Sequence, residues 1–256
     1  MNPSRSLLYV PVPISGESPA SWLSRVSMTH GVPTNKLLRA LGVRLCFDPD
    51  LDLCMDSLRA VAYGTNVDPI HLFKLTDSFR SVRRDHAQQN LVHCTDGLPA
   101  YQYCPSCLQS DEVPYLRALW RFELWTICPI HLVRMRDSCQ SCGAPIRTKA
   151  ARSSSIALDG LECSRCGQHV VTDALSPPVN HFDRQEFETQ RLFVNLIQHG
   201  VSPPNEPDSD VLLAEEIARF LSFKSISARR YRRAQARKDD ASGCSVDTGT
   251  LQRRNG

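Results

Sequence analysis

Cys104-Pro105-Ser106-Cys107, Cys128-Pro129-Ile130-His131, Cys139-Gln140-Ser141-Cys142 and Cys163-Ser164-Arg165-Cys166 stand in order along the chain. Each is a pair of potential metal ligands with two residues between them. Twenty residues separate the first pair from the second, and twenty separate the third from the fourth. A tetrahedral metal ion needs four donors, and a two-residue spacing lets one tight turn aim two of them at the same point. A second pair about twenty residues on completes the set by closing a small β-ribbon. Gly143 and Gly167 follow directly after Cys142 and Cys166. Glycine there eases the turn that closes each knuckle. The eight ligands Cys104, Cys107, Cys128, His131, Cys139, Cys142, Cys163 and Cys166 make two complete sites, so two structural Zn2+ ions are expected.

Sequential pairing gives two tandem zinc ribbons. A cross-brace, joining first pair to third and second to fourth, is the alternative. The seven residues between His131 and Cys139 are more than a cross-brace usually carries, which favours the ribbons. Neither set leaves the open position that a catalytic zinc keeps for water. Disulfides are the competing use of cysteine, and eleven is an odd total. The N-terminus lacks the basic start and apolar run of a secretory signal, and Pro11 and Pro13 break Leu7 to Ile14. A cytoplasmic protein with no membrane segment is expected, and thiols stay reduced there.

On either side of this segment the pattern is helical. Ser18-Pro19 opens a helix with Trp22, Leu23 and Val26 on one face and Gly31 as its stop. Thr34 opens a second, with Leu37, Leu38 and Leu41 inward and Gly42 after it. Leu51 to Tyr63 reads as a third ending at Gly64, and Asp68-Pro69 starts a fourth with Ile70, Leu72, Phe73 and Leu75 apolar. Helix, glycine-containing turn and helix is the outline of a helix-turn-helix. Short strands are expected at Tyr115 to Trp120 and at Val170 to Val171. Asp183 to His199 is an amphipathic helix carrying Phe187, Phe193, Leu196 and Ile197. Pro203, Pro204 and Pro207 mark a linker, and Val211 to Phe223 a further helix.

The fold class is therefore mainly α with small zinc-ribbon β elements. The expected order is a helical N-terminal domain with a helix-turn-helix (1–98), a tandem zinc-ribbon segment (99–176), C-terminal helices (177–238) and a disordered tail (239–256).

The net charge is only +3, but Lys224 to Lys238 holds seven basic residues and no acid. Arg229, Arg230, Arg232, Arg233 and Arg237 would cover nearly every face of a helix there. That suits DNA phosphates, with a solvated helix as the alternative. Arg80, Arg83 and Arg84 read as a solvated face. Trp120, Arg121 and Trp125 lie between ligand pairs and are candidate partner-binding residues, because Trp and Arg are favoured interface anchors. Cys46, Cys54, Cys94, Cys244 and the other seven histidines form no motif. No phosphate-binding loop, Gly-x-Ser-x-Gly elbow or HExxH is present, so no catalytic residue and no enzyme activity is assigned.

Two stretches resemble the TniQ family of transposition proteins. Pro11-Val12-Pro13-Ile14-Ser15-Gly16-Glu17-Ser18, with Ser21-Trp22-Leu23-Ser24-Arg25 after it, is similar to the family's opening. Tyr103-Cys104-Pro105-Ser106-Cys107-Leu108, Tyr115-Leu116-Arg117, Trp120-Arg121 and Cys128-Pro129-Ile130-His131 are similar to its core. Asp137 to Gly143 is similar to the family's D-x-C-x-x-C-G motif beyond that core. The resemblance covers residues 9 to 167. It implies a non-catalytic adaptor that selects the insertion site, linking a target-recognising component or target DNA to a TnsC-like AAA+ ATPase. An RNA-guided CRISPR complex and a second copy of the chain are further candidate partners. A stand-alone zinc-containing helix-turn-helix DNA-binding regulator is the second reading, and a zinc-dependent ligase module the third.

Overall fold

The computed structural model describes residues 7–44, 47–80, 91–148, 162–163, 165–171 and 184–199. The linker, the helix expected at 211–223, the tail and the arginines from Arg229 to Arg237 lie outside the described residues, as do Arg83 and Arg84.

Helix α1 spans Pro19–Thr29. The Ser18 hydroxyl accepts the Ser21 amide at its start, and Gly31 takes a left-handed φ of 61° after its end. Helix α2, Thr34–Ala40, comes after a short turn. The single helix expected over 51–63 is two: α3, Pro49–Asp52, and α4, Met55–Thr65. The break comes from three aspartates. Asp48 caps α3 by accepting the Asp50 amide, and Asp52 reaches back to the amides of Phe47 and Asp48. The chain then turns extended at Leu53. Nor does Gly64 stop α4. Asn66 does, in the left-handed conformation, while Gly64 stays inside the helix. A Cβ on Gly64 would lie 2.4 Å from Leu41 Cδ2, so the glycine makes room for a neighbouring side chain. Helix α5, Pro69–Leu75, is capped by Asp68 as the sequence suggests.

These helices close over one apolar core that includes Trp22, Leu23, Leu38, Val61 and Leu72. A second core begins at Phe79, in a 3₁₀ turn over Asp77–Phe79, and takes in Tyr101, Tyr103, Trp120, Phe122 and most of the ligand cysteines. Two small antiparallel hairpins frame it: β1 (Cys94–Thr95) with β2 (Leu98–Pro99), and β3 (Ile127–Cys128) with β4 (Val133–Arg134). Helix α6, Pro105–Ser110, lies between them. The strand expected at Tyr115 to Trp120 is absent. Arg117 makes one bridge to Glu17, and the chain then winds into a 3₁₀ turn at Ala118–Arg121. Val170 and Val171 form no strand either; the pairing there joins Glu162 to His169.

Helix α7, Arg184–His199, covers the second core. Phe193 meets Phe122 edge-on at 5.6 Å, and Phe122 stacks on Phe79 at 5.6 Å. The Gln190 amide accepts the Ile127 N–H and donates to the Ile127 carbonyl, docking onto β3 as a neighbouring strand would. No helix among the described residues is long and apolar enough to cross a membrane.

Candidate metal centre

The eight sequence-predicted ligands gather into two groups, Cys104/Cys107/Cys128/His131 and Cys139/Cys142/Cys163/Cys166. Within each, the donor atoms all lie within 4.8 Å of one another, so each group could hold a metal ion. The grouping is sequential, not cross-braced. In the first, Cys107 Sγ lies 3.5 Å from Cys128 Sγ and 3.3 Å from His131 Nδ1. Cys104 and Cys128 each lie 3.6 Å from the same nitrogen. In the second, Cys139 and Cys166 are 3.8 Å apart and Cys142 and Cys163 are 3.7 Å apart.

Three of the four pairs sit on the same kind of turn. The Gly143 amide donates to Cys139 O at 2.8 Å, the Gly167 amide to Cys163 O at 2.9 Å and the Leu132 amide to Cys128 O at 2.9 Å. All three residues have positive φ: 67°, 70° and 50°. Leu132 therefore holds the left-handed position that glycine fills in the other two, at a steric cost glycine avoids. The remaining pair opens α6, with Cys104 at the cap and Pro105 at the first helical position.

Thiols packed this closely cannot all ionise without a cation. The Cys104 and Cys128 thiols push Cys107 well up, while hydrogen bonds from Cys104 and Cys107 pull Cys128 well down. Cys139, despite desolvation, is drawn down to about 7 by the amides of Cys142 and Ser141 and by the Cys163 and Cys166 thiols. Although the Gln168 amide favours its thiolate, Cys166 is pushed up to about 12 by desolvation and the thiols of Cys142, Cys163 and Cys139. A divalent cation removes this competition by ionising every ligand at once. The donor sets fit such an ion.

The residues between the first two pairs tie the metal region to the helices. Ser18 N donates to Leu116 O, Ala118 N to Gly16 O and Leu116 N to Ser21 Oγ. Glu17 is fully buried; its carboxylate accepts Arg25 Nε at 2.8 Å, Arg25 Nη2 at 2.6 Å and the Ser21 hydroxyl at 3.0 Å. Arg117 forks onto Asp111 and covers the Tyr115 and Trp120 rings at 4.5 and 4.7 Å.

Below them lies a buried latch that sequence reasoning did not assign. Arg121 Nη1 donates to the carbonyls of His93 and Ala100, each at 2.6 Å, Nη2 pairs with Asp48, and Nε lies 2.9 Å from Asp50 Oδ2. Asp50 also accepts the Ala20 amide and the Tyr101 hydroxyl, which in turn meets the Ser18 hydroxyl. Burial pushes Asp48 up to about 7, against the pull of Arg121. Arg121 is thus no partner-facing residue: it is wholly buried, with its donors turned inward. Trp120 is buried too, beneath Arg117, and Trp125 packs into the second core, so the expectation that these three face a partner is corrected. The closely spaced Asp48, Asp50 and Asp52 were the available signal for the latch, because three carboxylates around a helix of one turn require partners.

A comparison with protein-family models adds the decisive observation: residues 8–135 match the model described as TniQ. The chain belongs to the TniQ family. That makes it a transposition-associated protein. The TniQ match takes in the helical core, the latch and the first ligand group, and ends before Cys139. No curated protein matches the chain.

Proposed function

We propose that this TniQ protein is a non-catalytic adaptor for target selection, joining a target-recognising component or target DNA to a TnsC-like AAA+ ATPase, and that both ligand groups hold structural zinc. The observation that supports zinc most directly is the sulfur spacing. Zinc–sulfur bonds of about 2.3 Å in a tetrahedron set sulfurs about 3.8 Å apart. The second group spaces its sulfurs at 3.7 and 3.8 Å. Thiolate and imidazole donors suit zinc, and four protein donors leave no open position for chemistry.

The adaptor reading rests on the family match together with the latch. Metal in the first group fixes the segment from Tyr115 to Trp125. That segment fixes Glu17, Ser18 and Asp50, so the helical unit and the metal region can be offered to two partners as one body. DNA contact is assigned to Arg229, Arg230, Arg232, Arg233 and Arg237 on their charge alone. The test is co-purification with the AAA+ ATPase of the same locus, with and without ATP and duplex DNA. A stable complex that is lost in Cys104→Ser/Cys128→Ser is expected; no complex under any condition would overturn the reading.

One observation favours the stand-alone DNA-binding regulator. No carboxylate occurs from Ser18 to Phe47, while Lys36 and Arg39 are exposed on α2. Tight DNA binding by the protein alone, falling steeply with salt, together with failure to engage the ATPase, would establish that reading instead.

A further inference from the structure

The two ligand groups differ in how far solvent reaches them. Cys104, Cys107 and Cys128 are buried to within 1% of full coverage. In the second group Cys139 and Cys163 are buried, Cys142 is half-buried and Cys166 is exposed. The neighbours of Cys166 are exposed as well: Arg165, Gly167, Gln168 and His169. Its knuckle is held by the Cys163–Gln168 and Cys163–Gly167 backbone bonds, the Glu162–His169 bridge, and the Tyr103 hydroxyl on Val170 O at 3.3 Å. The second group also lies outside the residues that match the family.

We propose that the second group is a peroxide-responsive metal switch, releasing its ion when Cys166 is oxidised, while the first group keeps its own. This rests on the reading that both groups bind zinc. Oxidation of cysteine tracks thiolate character and access. A metal-bound cysteine is already a thiolate, so access decides between the groups, and Cys166 has it.

The reaction needs only a hydroperoxide. The Cys166 sulfur attacks one peroxide oxygen and the O–O bond breaks. The other oxygen leaves as water after taking a proton, and the sulfur becomes a sulfenic acid. The Cys139 thiolate, whose sulfur lies 3.8 Å away, attacks that sulfur. The S–S bond forms and hydroxide leaves, protonated to a second water. Two thiolates, one peroxide and two protons give one disulfide and two waters; the sulfurs lose two electrons and the peroxide oxygens gain them. The ion then keeps only Cys142 and Cys163, too few donors to hold it. Its departure leaves the 139–142 and 163–166 knuckles joined by the disulfide alone, with the latch and first core untouched.

The experiment uses the full chain loaded with Zn2+, with metal content measured first. Two ions per chain satisfy the zinc reading; none would overturn that reading and this inference with it. Equimolar hydrogen peroxide is then added with a chromophoric zinc chelator present, and the products are mapped by mass spectrometry after alkylation. The expected result is release of one ion in step with a Cys139–Cys166 disulfide, with Cys104, Cys107 and Cys128 still reduced. Release of both ions together, oxidation at the first group, or no release would each overturn the proposal. Cys166→His keeps a ligand but removes the reactive sulfur, and release should slow by about tenfold or more. Unchanged release from a two-ion Cys166→His protein would contradict Cys166 as the sensor; should that variant fail to load, the wild-type disulfide map decides.

Discussion

The ligand groups at 104–131 and 139–166 share the twenty-residue spacing between their pairs, yet the structure gives them different surroundings. The twenty residues between Cys107 and Cys128 include Tyr115, Trp120, Phe122 and Trp125; the twenty between Cys142 and Cys163 include no aromatic residue. The first stretch builds a core and reaches across to Glu17, Ser18 and Asp50. The second group sits at the edge of that core, with Cys166 in solvent. Ligand spacing fixes where a metal can bind. The side chains carried between the ligands fix how much of the protein depends on it.

Removing one ligand from each group separates the two most clearly. Cys128→Ser should unfold both cores, because apparent zinc binding energies of about 10–16 kcal/mol are folding energy in small zinc modules. Cys163→Ser should lose one ion and keep the helical content. Circular dichroism with metal analysis reads both, and equal loss of helix in the two variants would abolish the distinction.

Next in size is the latch. Arg121→Ala leaves Asp48 and Asp50 buried without their cation, and removing one partner of a buried pair typically costs about 3–5 kcal/mol. The denaturant midpoint should fall accordingly, whereas removing the exposed Arg80 from its pair with Asp77 should change it by under about 1 kcal/mol.

The latch should also respond to pH. Asp48 sits at about 7 in the fold against an ordinary 3.8, so the folded chain binds its proton more tightly than the unfolded chain does. That contribution is fully present below about 4 and is lost as pH rises through about 7. Stability of the wild type relative to Asp48→Asn should therefore fall across that window, and a constant difference would show that Asp48 ionises normally. The smallest effect expected is at the first-group knuckle. Leu132→Gly relieves a left-handed leucine and should raise stability by about 0.5–1 kcal/mol, measured by thermal unfolding of the zinc-loaded protein.

Much of the ligand arrangement was legible, because a metal-ligand pair is a local object: two donors and a turn within four or five residues. Helix starts at Ser18, Thr34 and Asp68 were legible for the same reason. The features that periodicity could not show depend on distant partners. The break between α3 and α4 arises from where the aspartate carboxylates bond, and Gly64 from the position of Leu41. Tryptophan and arginine between ligand pairs read as interface anchors, but Arg121 is held by Asp48 and Asp50, more than seventy residues earlier. Gln190, unassigned within the amphipathic helix expected over 183–199, completes the edge of β3.

Through Arg121 the first metal group and the helical unit are expected to form one cooperative body. Hydrogen exchange of α1 in the zinc-loaded wild type and in Cys128→Ser tests it most directly. Amides of α1 are expected to lose protection together with those of α6 when the first ion is absent. Protection of α1 that survives while α6 exchanges freely would contradict it.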